Sequence, residues 1–248
     1  MANDNFYASN ALHNGVFNGR TLIQAGTTFG GSRHVFVKLG GQYGGVVYPT
    51  IGCLIMNPFK GAAKAFAGDL IEFRTKDNGD GGEGYILKTF LVSEDATAAA
   101  TEIKIVRDGY KHIPFVGDIL MIGQKNFTTK AKGVTVTAVE VAEDGKTWVI
   151  TVSEALGTAV KADDVLVEAA EAGANVLPLV TNPNAYFPGD ADFIYNPNVG
   201  NSKYEKARYF YTPALAMGQA FLYTNRMSPL PPAVKALNES KVNGWFLI

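Results

Sequence analysis

Cysteine is almost absent from this sequence: Cys53 is the single one in 248 residues. No intrachain disulfide can form, and no zinc site can be built from several cysteines of one chain. Cys53 lies in the apolar run Ile51-Gly52-Cys53-Leu54-Ile55-Met56 and reads as a buried structural thiol. Histidine is nearly as scarce. His13, His34 and His112 stand far apart, and none has another metal ligand at the spacing of a known motif. Each reads as a surface or structural histidine, and no metal or cofactor is expected. An excess of either charge is also missing: 22 Lys and Arg face 23 Asp and Glu, for a net charge of −1. Nucleic-acid binding, which usually brings a basic excess, is not expected. A near-neutral chain also repels its own copies little when they crowd together. No apolar run approaches the roughly 20 residues of a membrane span. The segment Met1-Ala2-Asn3-Asp4-Asn5-Phe6 lacks the basic start and apolar core of a secretory signal, so synthesis in a reducing cytosol is expected.

Catalytic signatures are missing too. There is no Gly-x-Ser-x-Gly elbow. The pairs Gly30-Gly31, Gly40-Gly41 and Gly44-Gly45 are not followed by Gly-Lys-Ser or Gly-Lys-Thr, so they read as bends and close backbone approaches. The acidic loop Asp77-Asn78-Gly79-Asp80-Gly81-Gly82-Glu83 does not carry carboxylates at the alternate positions of an EF-hand and reads as a solvated turn, with calcium binding as the competing reading. Lys125, Lys130 and Lys132 form a short basic run around one aromatic, Phe127, and read as a loop. A pair of facing carboxylates, as sugar hydrolysis needs, would meet only in the fold and leaves an unrecognised hydrolase as a minor alternative. The expectation is a chain that is not an enzyme.

What the sequence does have is an uneven distribution of aromatics and charge. Residues 89–171 hold 5 of the 28 aromatics, 21 of the 45 charged residues and one of the 11 prolines, Pro114. The two flanks are rich in aromatics and proline and poor in charge. The expected organisation is a framework with an N-terminal arm over 1–88, an inserted small β-domain over 89–171, and an extended C-terminal framework over 172–248.

Periodicity makes the chain mainly β. Thr101-Glu102-Ile103-Lys104-Ile105 alternates, as does Gly133-Val134-Thr135-Val136-Thr137-Ala138, which slips by one residue at Ala138-Val139 and predicts a bulge. Val116-Gly117-Asp118 feeds the apolar run Ile119-Leu120-Met121-Ile122. Glu143-Asp144-Gly145-Lys146 is a hairpin signal, after which Trp148, Ile150 and Val152 share a face. Ala162-Asp163-Asp164-Val165-Leu166-Val167-Glu168 closes the set. Strands this short and regularly spaced predict a small β-barrel or sandwich. In the first flank Arg33–Leu39 alternates, and Ala67-Gly68-Asp69-Leu70 is similar to the turn at Gly117, about 49 residues earlier. Near the C-terminus Pro231 and Pro232 suit a first helical turn, predicting one short helix over 232–241 with Gly244 as its stop. The apolar segment Trp245-Phe246-Leu247-Ile248 should dock, either in its own core or on a neighbour.

Aromatic density in the flanks carries the functional expectation. Tyr204, Tyr209, Phe210, Tyr211, Phe221 and Tyr223 fall close together, and Phe6 and Tyr7 sit in an Asn-rich context. An extended segment cannot bury its own rings, so a partner surface must offset its ordering entropy. The candidate partner-interface residues are Phe6, Tyr7, Tyr186, Phe187, Tyr209, Tyr211, Trp245 and Phe246.

The middle stretch resembles the small β-domain of head-fibre and auxiliary capsid (decoration) proteins of tailed bacteriophages, of the crAss-like type. The residues are Thr101–Ile105, Asp108-Gly109-Tyr110, Val116–Leu120, Val134–Val139, Leu156-Gly157 and Asp164–Ala169. Asp163 departs from the pattern, which has glycine before the closing aspartate. The resemblance covers about a third of the chain. It implies a structural virion protein on the capsid exterior, a homo-oligomer with a trimer favoured, contacting the major capsid protein and other virion proteins. Alternatives are a small major capsid or tail-tube subunit, or a carbohydrate-binding β-domain on the virion with Trp148 or Tyr110 against a glycan.

Overall fold

The structure is a computed structural model, described over residues 36–38, 50–51, 54–57, 59, 64–66, 68–75, 82–108, 112–187, 191–192, 215–216, 220–222, 224, 227–239 and 245–247. The chain forms two compact units, and it passes between them more than once. The first unit is Met1–Ile86 with Pro183–Met227 and Ser240–Ile248; the second is Leu87–Asn182 with Ser228–Glu239. The second unit is therefore wider than the 89–171 drawn from composition, and it takes in a piece of the C-terminal flank. Composition registers side-chain chemistry, and Pro178, Leu230 and Val234 are apolar residues buried in this unit that look like the flanks.

In chain order the first unit supplies β1 (Phe36–Lys38), β2 (Thr50–Ile51), β3 (Leu54–Ile55), β4 (Lys64–Ala65), β5 (Leu70–Thr75) and β6 (Gly82–Ile86). The second supplies β7 (Thr89–Leu91), β8 (Glu102–Val106), β9 (Ile119–Ile122), β10 (Ala131–Val141), β11 (Thr147–Val152), β12 (Val165–Glu168) and β13 (Gly173–Val176). The chain returns to the first with β14 (Ala185–Tyr186), β15 (Ala191–Asp192), β16 (Leu215–Ala216) and β17 (Ala220–Leu222). Helix α1 (Pro232–Glu239) belongs to the second unit, and β18 (Trp245–Leu247) to the first. Among the described residues the protein is mainly β, with antiparallel sheets and one short C-terminal helix.

The second unit is a seven-stranded sheet in the order β7-β12-β9-β10-β11-β8, with β13 paired to β10. Every pairing in it is antiparallel. It is not a closed barrel, which corrects the barrel-like form of the expectation. The end strands β7 and β8 meet through one bridge, Val92 with Ile105, and the bond from Ser93 N–H to the Lys104 carbonyl, not through a ladder. Alternation drives one face inward: Ile103 and Ile105 of β8, Val134 and Val136 of β10, and Ile150 and Val152 of β11 join Phe90, Val92, Leu120, Leu156, Val160 and Leu166 in one core. Burying a Val, Leu, Ile or Phe is worth roughly 1.5–3 kcal/mol, so this cluster is one of the contributions that offset the backbone entropy of the unit. Strands β9 and β12 are buried on both faces. Their opposite side chains, Met121, Val165 and Val167, form a second cluster with Ala169 and Val176. That is why Val165-Leu166-Val167 is apolar at three successive positions instead of alternating.

A bulge is present just before the slip expected at Ala138-Val139: the β10–β11 register shifts between Val136 and Ala138, which leaves Thr137 as the extra residue. The hairpin turn is held by Asp144, whose carboxylate accepts N–H bonds from Lys146 (2.8 Å) and Thr147 (3.1 Å) and the Thr147 hydroxyl. These donors, the Lys146 N–H foremost, hold the Asp144 carboxyl below its usual range.

In the first unit the main sheet runs β2-β16-β14-β5-β6-β3, and β1-β17-β18 forms a second sheet. Strands β5 and β6 pair Ile71 with Ile86 in the core.

Candidate functional site

One local device recurs in both units. At Phe66–Asp69, Phe115–Asp118 and Lys161–Asp164 the chain makes the same four-residue turn ahead of a strand (β5, β9 and β12). In each the aspartate Oδ2 accepts the N–H of the first turn residue, at 2.9, 2.8 and 2.7 Å. In each the third residue has a positive φ: 83° at Gly68, 84° at Gly117 and 71° at Asp163. This is the type II turn requirement, normally met by glycine. Each turn then clamps one residue of a neighbouring segment by two main-chain bonds. Gly68 and Asp69 hold Phe187, Gly117 and Asp118 hold Val136, and Asp163 and Asp164 hold Val92. The sequence signalled two copies. The third was hidden because Asp163 replaces the glycine, yet the geometry is the same.

Partner-interface candidates separate under this geometry. Tyr186 and Phe187 are both 0% exposed. They fill the first unit's own interior and are unavailable to a partner, which corrects their place among the anchors. The cause is the turn at Phe66–Asp69, which seizes the Phe187 main chain and draws β14 against β5. Trp245 and Phe246 lie in β18, which pairs in parallel with β17, Trp245 opposite Ala220 and Phe246 opposite Phe221. The backbone of this apolar segment is thus held in its own unit's sheet. Phe6, Tyr7, Tyr209 and Tyr211 lie outside the described residues, as do His13, His34, Cys53, Tyr110 and Asp77–Asp80 of the acidic loop.

Charged side chains are engaged in local pairs. On one side of the β5–β6 hairpin the register sets Glu72 opposite Tyr85 and Arg74 opposite Glu83. Arg74 Nε donates to Glu72 at 2.7 Å, its guanidinium lies 4.1 Å from the Tyr85 ring centre, and the Tyr85 hydroxyl donates to Glu83 at 2.9 Å. The Glu72 carboxylate raises the Arg74 guanidinium above its ordinary value. Burial, and then the bond to Glu83, push the Tyr85 phenol up. In the second unit Lys104 pairs with Glu94, Lys161 with Asp95, and Lys132 with Glu154. The Lys161 cation and then the Ala162 N–H hold the Asp95 carboxyl down. Such exposed pairs add little stability. Lys88 is different: its side chain is 3% exposed and donates to Glu168 of β12 at 3.1 Å.

Trp148 packs on the main core, and the Arg107 guanidinium sits 5.0 Å from its ring centre. Arg107 is held there by its own bond to the Gly145 carbonyl at 2.7 Å. A sugar stacking on this indole would first have to displace the cation, which disfavours Trp148 as a glycan platform. An apolar niche opens between Met121, Phe127, Val167, Pro178, Pro231 and Ala233. Its free space is about 10 Å³, roughly one water, far below a small-molecule pocket. Among the described residues no group of His, Cys, Asp and Glu is placed to hold a metal ion, and no helix is long and apolar enough to cross a membrane.

No protein-family model matches the chain, and neither a curated protein nor a solved structure matches it.

Proposed function

We propose that this chain is a structural subunit without catalytic activity, an auxiliary capsid or head-fibre protein on the exterior of a tailed-phage capsid. The observation that carries the reading is the way one compact β unit is strung into another. The chain leaves the first unit after Ile86, returns at Pro183, and crosses again for Ser228–Glu239. Two units threaded in this way can divide the work, the second being displayed and the first attached to the particle. The surface chemistry agrees with this division. The second unit turns paired charges outward around a sealed apolar core, which suits exposure to water. The flanks carry the aromatic residues that favour buried protein contacts. Symmetric copies on a lattice turn a weak contact per subunit into firm attachment, so a homo-oligomer, favoured as a trimer, is part of the reading. The host cytoplasm is the place of synthesis and the major capsid protein the principal partner.

The test is direct. Serum raised against the purified chain should label the outside of intact particles from the producing culture in immunogold electron microscopy. Replacing Phe6 and Tyr7 by serine, or Tyr209 and Tyr211 by serine, should lower the copy number per particle tenfold or more, as measured by quantitative mass spectrometry, since an aromatic hot spot is worth about 2 kcal/mol or more. Unlabelled particles would refute the capsid assignment. Undiminished copy number in both double variants would refute the aromatic anchors.

A further inference from the structure

Strand β10 outruns one of its neighbours. Its ladder with β9 pairs Val134 and Thr135, and two further bonds carry the contact to Val136: the Gly117 N–H donates to the Val136 carbonyl, and the Val136 N–H to the Asp118 carbonyl. There the turn at Phe115–Asp118 ends the contact, while β10 continues to Val141 against β11. Antiparallel ladders alternate, which identifies the groups left over. The Ala142 N–H donates to the Thr147 carbonyl. In the same register Glu140 bonds with Val149, so Val139 and Val141 turn their N–H and C=O to the outer edge. Among the described residues no strand lies on that side of them. The open stretch begins and ends beside exposed valines. Val116, in the turn at its start, is 58% exposed, and Val141, at its end, is 48% exposed.

We propose that the outer edge of β10 at Val139–Val141 takes an added antiparallel strand, an extended segment of a partner protein that alternates apolar and cationic side chains. The main-chain groups of Val139 and Val141 supply the ladder. Side chains set its character. Val139 and Val141 share a face with Ile150 and Trp148, their partners across β11, so the incoming residues opposite them extend the apolar face and cover Val141. Glu140 stands on the other face and is exposed. Glu94, Asp95 and Glu154 of this unit each have a lysine partner; Glu140, and Glu143 in the hairpin loop, have none. A Lys or Arg opposite Glu140 would occupy the non-bonded kind of pair, where side chains approach most closely and opposite charges stabilise. The same carboxylate disfavours a second copy of this chain. A copy pairing through the same two valines would set Glu140 directly against its counterpart, a repulsive pair. The inference is independent of the capsid reading.

Amide hydrogen exchange on the full chain tests it, with the capped peptide Ser-Thr-Val-Lys-Val-Thr-Ser as the probe. In the free chain the Val139 and Val141 amides should exchange about tenfold or more faster than the Glu140 amide, which β11 holds. Peptide at about ten times its Kd should slow both about tenfold. Val141→Pro removes one edge donor and no bond to β11, and should weaken the peptide about tenfold. Glu140→Lys should reverse the preference, so that the peptide with Glu in place of Lys binds better. Should Val141→Pro not fold, Glu140→Lys, an exchange at an exposed position, decides. No slowing at millimolar peptide, or slowing that both variants leave unchanged, overturns the proposal. Val139 and Val141 amides as protected as Glu140 in the dilute free chain overturn the open edge. Protection that rises with the concentration of the chain alone assigns the edge to a second copy and overturns the cationic partner.

Discussion

At the scale of single residues, Asp163 shows what a local conformational requirement is worth. Its φ of 71° lies in the left-handed region, where a side chain costs roughly 1–2 kcal/mol relative to the right-handed form. The homologous positions in the other two turns are Gly68 and Gly117, which bear no such cost. The Asp163 residue is exposed, so little packing is lost on removing its side chain. Asp163→Gly should therefore stabilise the protein by about 0.5–1 kcal/mol, after the extra chain entropy of glycine is subtracted. Urea denaturation would read this as a higher midpoint at unchanged slope. A lower midpoint would mean that the Asp163 side chain makes an interaction worth more than the strain. The departure from glycine was visible in the sequence. What the sequence could not reveal was that the backbone keeps the turn regardless, because the main-chain clamp on Val92 and the Asp164 carboxylate together enforce it.

Elements were legible where period and punctuation agreed. Thr101–Ile105, Val116–Ile122, the slip at Ala138-Val139, the Asp-Gly hairpin and the helix start at Pro232 all follow from local pattern, and each corresponds to an observed strand, turn, bulge or helix. Neighbours supplied from a distance were not legible. Asn184 illustrates this. Its side-chain oxygen accepts the Phe73 N–H at 2.8 Å and its amide donates to the Phe73 carbonyl at 3.0 Å, 111 residues away in sequence. The side chain thereby imitates one residue of a paired strand. Asn57 does the same for Ile86, at 2.7 and 2.8 Å. By sequence alone, an asparagine directly after Pro183 suggests only a turn. Asn184→Ala leaves both Phe73 groups without these bonds and should cost about 1–3 kcal/mol. Asn184→Asp keeps the acceptor but sets a carboxylate against the Phe73 carbonyl, and should cost at least as much. Equal midpoints for the native chain and Asn184→Ala in thermal or urea unfolding would show that water replaces the side chain at no cost. Tyr186 and Phe187 show the same limit: an aromatic pair in a flank resembles an exposed arm until the strand that β14 joins is known.

At the scale of the whole molecule, the second unit is completed by a segment far along the chain. Ser228–Glu239 belongs to it, although 45 residues assigned to the first unit, Pro183–Met227, intervene. Pro232 starts α1 where a missing N–H costs nothing, and the Val234 N–H bonds the Pro231 carbonyl at 3.0 Å. Pro231 and Ala233 line the niche above Met121 and Val167, the face of β9 and β12 turned away from the main core. Gly123 is shaped for this arrangement: a Cβ there would lie 2.7 Å from the Val165 carbonyl and 3.2 Å from Pro231. The segment is therefore a cover for the second cluster, and its loss should weaken the unit that it covers. Val234 is 1% exposed, so Val234→Asp both removes apolar burial and buries a carboxylate, a combined cost of about 3 kcal/mol or more. The chain's two tryptophans allow a clean reading, because Trp148 lies in the second unit and Trp245 in the first. In a Trp245→Phe background, fluorescence follows Trp148 alone. There Val234→Asp should move the urea midpoint of the Trp148 transition well below that of the background protein. An unmoved midpoint would show that residues 87–182 hold their second cluster without the helix, and that α1 rests on the unit without supporting it.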